Sequence, residues 1–265
     1  PAIIKFKPEA KKAFEEAVES IGGYVSGELK IEKLSEDKCY GIQDKETIMD
    51  FLQRAVDAPL PYIALDSETS ALYCRDGYML GFSMSYEPDH GIYCDADVID
   101  EDVEAKMQEL FNKKTVVFHN AKFDLQWFIY HFNFEFPNFE DTMLMHYMFD
   151  ENPGTHGLKQ LAMKHTPYGD YEKPLEDWGI EYRRKESFSY DMIPFDIMQN
   201  YAAMDAVVTM ALYQKMRPAI EKNKRLLWVY ENLLLEGCDF LRQVENNGVP
   251  FHRERLEFAQ GVMQE

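Results

Sequence analysis

The alternation of apolar and polar positions divides the chain into mostly strands first and helices afterwards. Residues 8–20, PEAKKAFEEAVES, predict a helix with Pro8 in its first turn, stopped by Gly22 and Gly23. Apolar positions at helical spacing recur in TIMDFLQRAV, 47–56, which Pro59 and Pro61 close ahead of a strand over 62–66. MLGFSMSY, 79–86, and GIYC, 91–94, flank the turn EPDH and predict a hairpin pairing with that strand. Residues 100–111 predict a short acidic helix, and TVVFH, 115–119, a buried strand running into the helix of NAKFDLQWFIYHF. Asn120 stands at this junction as the N-cap, which puts Asp124 in the first helical turn. Two helices over 140–150 and 155–165 are joined by a turn at Asn152, Pro153 and Gly154, and 166–190 reads as loop. Residues 193–216 predict a long amphipathic helix and 221–246 another. Such an order around a mixed sheet indicates a layered α/β or α+β domain.

Composition narrows the function. At 265 residues the chain is long enough for one large or two small domains. Its 47 acidic against 28 basic side chains, a formal charge of -19, argue against affinity for nucleic acid through a broad basic face. The cysteines at 39, 74, 94 and 238 form no C-x-x-C pair, so neither a zinc cluster nor a dithiol redox motif is indicated, and a reduced compartment is expected. No apolar run approaches the roughly 18 to 20 residues that span a bilayer, and the opening PAIIKFKPEAKKAF lacks the pattern of a signal peptide. The expectation is a cytoplasmic protein with no membrane partner.

The stretch IALDSETS, 63–70, carries the first chemistry. In an extended strand Asp66 and Glu68 project from one face, about 7 Å apart along the backbone. Two such charges repel unless one is protonated, water screens both, or a divalent cation sits between them. Farther on, Tyr201 and Asp205 stand four apart on the long helix and share a face. With Asp124 these make four carboxylates, together able to hold two divalent cations. Each residue alone has a plainer reading. Tyr201 suits a core aromatic, Asp124 a first-turn acid, Asn120 a cap, Lys122 a solvated charge and Leu72 a core leucine. Four convergent acids without a counterion, however, are hard to sustain.

Asp66-Ser67-Glu68-Thr69, Asn120-Ala121-Lys122-Phe123-Asp124 and Tyr201-Ala202-Ala203-Met204-Asp205 resemble the three motifs of the DEDDy 3′-5′ exonucleases. DTMLMHYMFDENPGTHGLKQLA, 141–162, is similar to the helical segment between the second and third motifs in the proofreading domains of family A, polymerase I-like DNA polymerases. Three motifs in order, with the intervening segment, are far more specific than any one. The likeness covers 38–220, and LLLEGCDFLRQVENNGVPFHRERL, 233–256, resembles the opening of the polymerase domain next in those enzymes, although His252 departs from the acidic residue often found there.

The resemblance implies a ribonuclease H-like mixed sheet flanked by helices, the DEDD exonuclease fold. An N-terminal extension over 1–37 would precede the exonuclease domain at 38–220, and the helical tail 221–265 would begin a truncated polymerase domain. It implies two-metal-ion removal of 5′-mononucleotides from single-stranded or mismatched 3′ DNA ends, in the cytoplasm, or the host cytoplasm for a phage protein. Asp66 would bridge two Mg²⁺ ions, for which Mn²⁺ substitutes. Glu68 and Asp205 would complete the site that activates water, and Asp124 would support the second ion directly or through water. Tyr201, a poor base with a pKa of about 10, would orient that water. The sister subclass has histidine five residues before the last aspartate, where this chain has Asn200. Expected substrate contacts are Thr69, Leu72 as a wedge against the terminal base, Asn120, Lys122, and Arg183 and Arg184 of a compact basic run. Single-stranded ends are held by stacking and a few local cations, which softens the objection from net charge. A ribonuclease D-like exoribonuclease shares the motifs, but the segment 233–256 argues against it. A catalytically inactive nucleic-acid-binding scaffold is the rival from another class, and with all four acids and Tyr201 present the sequence gives no reason to prefer it.

Overall fold

The computed structural model describes residues 33–35, 37–182, 189–250 and 252–264, so the helix expected over 8–20 lies outside the described residues. The described residues form a mixed sheet of β1 (Cys39–Ile42), β2 (Tyr62–Thr69), β3 (Met79–Glu87), β4 (His90–Asp95), β5 (Thr115–Phe118) and β6 (Phe139–Asp141). Its order is β1-β4-β3-β2-β5-β6, with β3 antiparallel to both neighbours and the other pairings parallel. The expected hairpin is β3-β4. The two outer strands were not expected, because four and three residues are too few for a period of two to register. β2 runs three residues past the expected limit, so Asp66 and Glu68 lie within the strand.

Alternation along β2 divides the structure into layers. Ile63 and Leu65 join a core with Phe51 of α1 (Lys45–Asp57), Met107 of α2 (Glu101–Lys113) and Trp127 of α3 (Ala121–Phe132). The opposite face, to which Ala64, Asp66 and Glu68 belong, packs against α7 (Phe195–Glu221). Between α3 and α7 come α4 (Thr142–Tyr147), α5 (Leu158–His165) and α6 (Lys173–Tyr182). α6 falls in the stretch expected to be loop. Pro174 in its first turn and Gly179 inside it read as breakers, although proline is tolerated at a helix start.

α7 carries Tyr201 and Asp205, so what seats it on the sheet matters. Ala203, Val207, Val208 and Leu212 are buried, and full burial of each larger side chain contributes roughly 1.5–3 kcal/mol. Gly91 on β4 permits the close approach, since a Cβ there would lie 2.5 Å from the Ala203 carbonyl oxygen. The helix continues past the expected residue 216, through Pro218.

The helix expected over 221–246 is interrupted: α8 (Lys224–Val229) passes into a π-helical turn, Tyr230–Leu235, and then α9 (Glu236–Asn247), with α10 (Arg253–Gln264) beyond. At the start of the π turn, fully buried Tyr230 donates its hydroxyl to Glu140 Oε2 at 2.7 Å and accepts from the Asp141 N–H at 3.0 Å. All four cysteines are free and buried. No helix of the described residues is long and apolar enough to cross a membrane.

Candidate active site

The register of β2 creates the site. β5 pairs with β2 only from Tyr62 to Ala64, leaving the rest of β2 without a strand on that side. The N-terminal turn of α3 fills the gap, and Oδ1 of Asp124 accepts from the Ser67 N–H at 3.0 Å and the Ser67 hydroxyl at 2.6 Å. Asp66 and Glu68, pointing the other way, meet α7. One carboxylate oxygen each from Asp66, Glu68 and Asp205 lies within 4.8 Å of the others. Glu68 and Asp205 are buried and Asp66 is partly buried. Asp124 stands beside this trio with one oxygen turned to Ser67, and lines the same cavity.

Burial raises all four acids, and repulsion from the other cluster acids adds to it at Asp66 and Glu68. Burial, then the charges of Asp124, Asp205 and Glu68, hold the Asp66 carboxyl well above the usual range, and burial with Asp205 and Asp124 does the same to Glu68. Burial pushes Asp124 up to about 7 against the opposing Ser67 hydrogen bonds. It pushes Asp205 up to about 7 as well, opposed by hydrogen bonds from Tyr171 and Tyr201 and by the positive charge of Lys159. The Tyr201 phenol is raised by burial and by the charges of Asp205, Glu68 and Asp66, so at neutral pH it is protonated and able to donate.

The cavity, about 1080 Å³, opens over this cluster and is lined also by Thr69, Leu72 and Tyr201. Thr69 donates its hydroxyl to the Ala71 carbonyl at 3.0 Å. Leu72 is 70% exposed, which removes its reading as a core leucine. Asn120 and Lys122 are not lining residues. Asn120 occupies the N-cap position of α3 with φ 74°, in the left-handed region, and its side chain makes no capping bond. The Asp141 carboxylate caps instead, accepting from the N–H groups of Asn120 at 3.2 Å and Ala121 at 2.8 Å. Lys122 forms an ion pair with Glu245 of α9. Arg183 and Arg184 lie outside the described residues.

Lys159, His119 and His156 are among the lining residues that the sequence does not single out. Lys159 of α5 pairs with Glu172 and lies 3.0 Å from Glu176. His119, whose Nδ1 is 2.8 Å from Thr142 Oγ1, is pushed down to about 4 by burial and is neutral at pH 7. His156 completes that wall. Beneath the cavity, Tyr171 donates its hydroxyl to Asp205 Oδ1. It lies in a loop, and neither periodicity nor motif spacing singles it out.

The sequence profile of a family described as 3′-5′ exonuclease matches residues 39–221. The DNA polymerase of Escherichia phage T5 is 42% identical over 273 residues, covering 98% of this chain and 32% of that protein. DNA polymerase I of Rhizobium leguminosarum is 27% identical over 236 residues, covering 76% of this chain and 22% of that protein. This chain thus spans about a third of the phage relative's length, and less of the bacterial one's. Among solved structures, Escherichia coli RNase D is similar with a TM-score of 0.59 at 14% identity, over 78% of this chain and 51% of that one. The sheet and its flanking helices therefore have the ribonuclease H-like fold of the DEDD exonucleases.

Proposed function

Since the chain belongs to the 3′-5′ exonuclease family of polymerase I-like DNA polymerases, we propose that it removes 5′-mononucleotides from single-stranded or mismatched 3′ DNA ends, as the proofreading part of a longer polymerase chain. The observation that carries this reading is the trio Asp66, Glu68 and Asp205, gathered within 4.8 Å beneath an open cavity. The donors suit Mg²⁺ or Mn²⁺, being hard oxygens whose mutual repulsion a divalent cation would offset. Asp66, Glu68 and Asp205 would hold such an ion, with Asp124 contributing to a second, and two divalent cations so held activate water and offset charge developing on the leaving 3′ oxygen.

The chain's own residues do the rest. Asp205 anchors the cluster to α7, and Ser67 keeps Asp124 beside it. Tyr201, protonated and hydrogen-bonded to Asp205 one turn away, would orient the attacking water through the lone pairs of its hydroxyl oxygen. Leu72 at the rim offers an apolar surface to the terminal base, and Thr69 lines the path to it. The exonuclease unit spans 38–220 in this reading, and 221–265 leads into the polymerase unit, which would bind the duplex. The site of action is the cytoplasm, that of the host for a phage enzyme.

The test is release of 5′-mononucleotides from DNA and RNA oligomers of matched sequence, with Mg²⁺ and with EDTA. Release from the 3′ end of DNA in Mg²⁺ alone is expected. Release in EDTA, or none under any condition, would overturn the proposed chemistry, and a preference for RNA would overturn its substrate.

A further inference from the structure

Tyr171 lies outside the three acidic motifs, in the segment between α5 and α6, yet its hydroxyl reaches Oδ1 of Asp205. We propose that Tyr171 is a positioning residue for the cation site: its hydroxyl orients the Asp205 carboxylate and thereby sets how tightly the cluster binds a divalent cation. The inference rests on the reading of Asp66, Glu68 and Asp205 as that site.

A carboxylate has two oxygens and about four lone-pair directions, so a ligand to a cation must be aimed by something else. Partners that hydrogen-bond to a metal-ligating side chain perform this, and they alter metal affinity without touching the ion. Asp205 has two such partners. Tyr201 sits on the same helix one turn earlier, so its bond moves with the helix and cannot fix Asp205 relative to the rest of the site. Tyr171 comes from a different segment and supplies an independent anchor.

That segment is itself pinned. Glu172, the next residue, pairs with Lys159 of α5, and Lys159 also lies 3.0 Å from Glu176 of α6. The Tyr171 phenol faces the charges of Asp205, Asp66 and Glu68, and is held protonated by burial and by those charges. It can therefore only donate when it meets a carboxylate, which suits an orienting role.

The test compares Mn²⁺ affinity, read from the free-ion EPR signal, in the wild-type chain and in Tyr171→Phe, Glu172→Gln and Asp205→Asn. The Mg²⁺-induced rise in melting temperature is measured in parallel. Tyr171→Phe should bind Mn²⁺ about 10- to 100-fold more weakly, the range for losing an outer partner of a metal ligand. The loss of one donor to a buried carboxylate should lower its melting temperature in EDTA modestly and leave it folded. Glu172→Gln keeps the hydroxyl but loosens its anchor, and should give a smaller loss. Unchanged or tighter binding by Tyr171→Phe, with saturable binding by the wild type, would overturn the proposal alone. Should Tyr171→Phe fail to fold, unchanged affinity in Glu172→Gln would overturn it instead. Equal binding by Asp205→Asn and wild type, or no wild-type binding, would remove the cation site and the proposal with it.

Discussion

Ser67 donates twice to one oxygen of Asp124, from its backbone N–H at 3.0 Å and from its hydroxyl at 2.6 Å. Being the strand residue between Asp66 and Glu68, it points away from them, so three consecutive residues feed the cluster on one face and secure its fourth acid from the other. Ser67→Ala removes one donor from a buried carboxylate. Asp124 should rise above its present value of about 7, and stability should fall by about 1–3 kcal/mol. Urea unfolding in EDTA measures this, and an unchanged midpoint would make the bond incidental.

Asp124 and Asp205 are each pushed up to about 7 in the folded protein, against about 4 in an unfolded chain. Between those values the folded state holds more protons than the unfolded one. The stability these groups contribute is therefore complete below about pH 4 and lost as pH rises through about 7. Asp205→Asn cannot ionise, so without metal its melting temperature should gain on that of the wild type between pH 5 and pH 8. Mg²⁺ at pH 8 should narrow the difference, and neither Asp205→Asn nor Asp66→Ala should release nucleotides. A difference that stays constant across this range would count against uncompensated charge at the cluster.

Tyr201→Phe leaves every carboxylate in place and removes only a hydroxyl. The rate of hydrolysis should drop roughly 10- to 1,000-fold, the scale of losing a positioning contact. Single-turnover rates at saturating Mg²⁺ separate this from weakened cation binding. Full activity would return Tyr201 to the role of a packing aromatic.

A site that accepts frayed ends should act faster on mismatched than on matched primers. A paired end must first open several steps at about 1.4 kcal/mol of stacking each, so three or four steps cost on the order of 4 to 6 kcal/mol before protein contacts offset part of it. The preference should shrink on heating. Rates of 5′-mononucleotide release from the two primers at several temperatures test this, and equal rates in the cold would remove the proofreading interpretation.

Much of the site was legible because its acids lie on regular elements. A period of two puts Asp66 and Glu68 on one face, and a period of 3.6 does the same for Tyr201 and Asp205. What stayed hidden depends on distant partners. Tyr171 meets Asp205 across 34 residues, and Lys122 meets Glu245 across 123, so no local window relates them. Asn120 has the side chain of a cap but turns left-handed, and an acid 21 residues on does the capping. β1 and β6 are too short for a periodic signal, and α6 contains residues that usually mark its absence.

Tyr230 lies beyond the third motif, yet it is fully buried and bonded to Glu140 and Asp141 at the edge of the sheet. The nuclease is thus fastened to a segment made after it in the order of synthesis. A chain emerging from the ribosome at about 5–20 residues per second would present all three acidic motifs well before it could close this corner. Until residue 230 is free of the exit tunnel, β6 and the caps built on Asp141 would stand without their last hydrogen-bond partner. Completion of this sheet edge is in this way timed by residues made after the third motif.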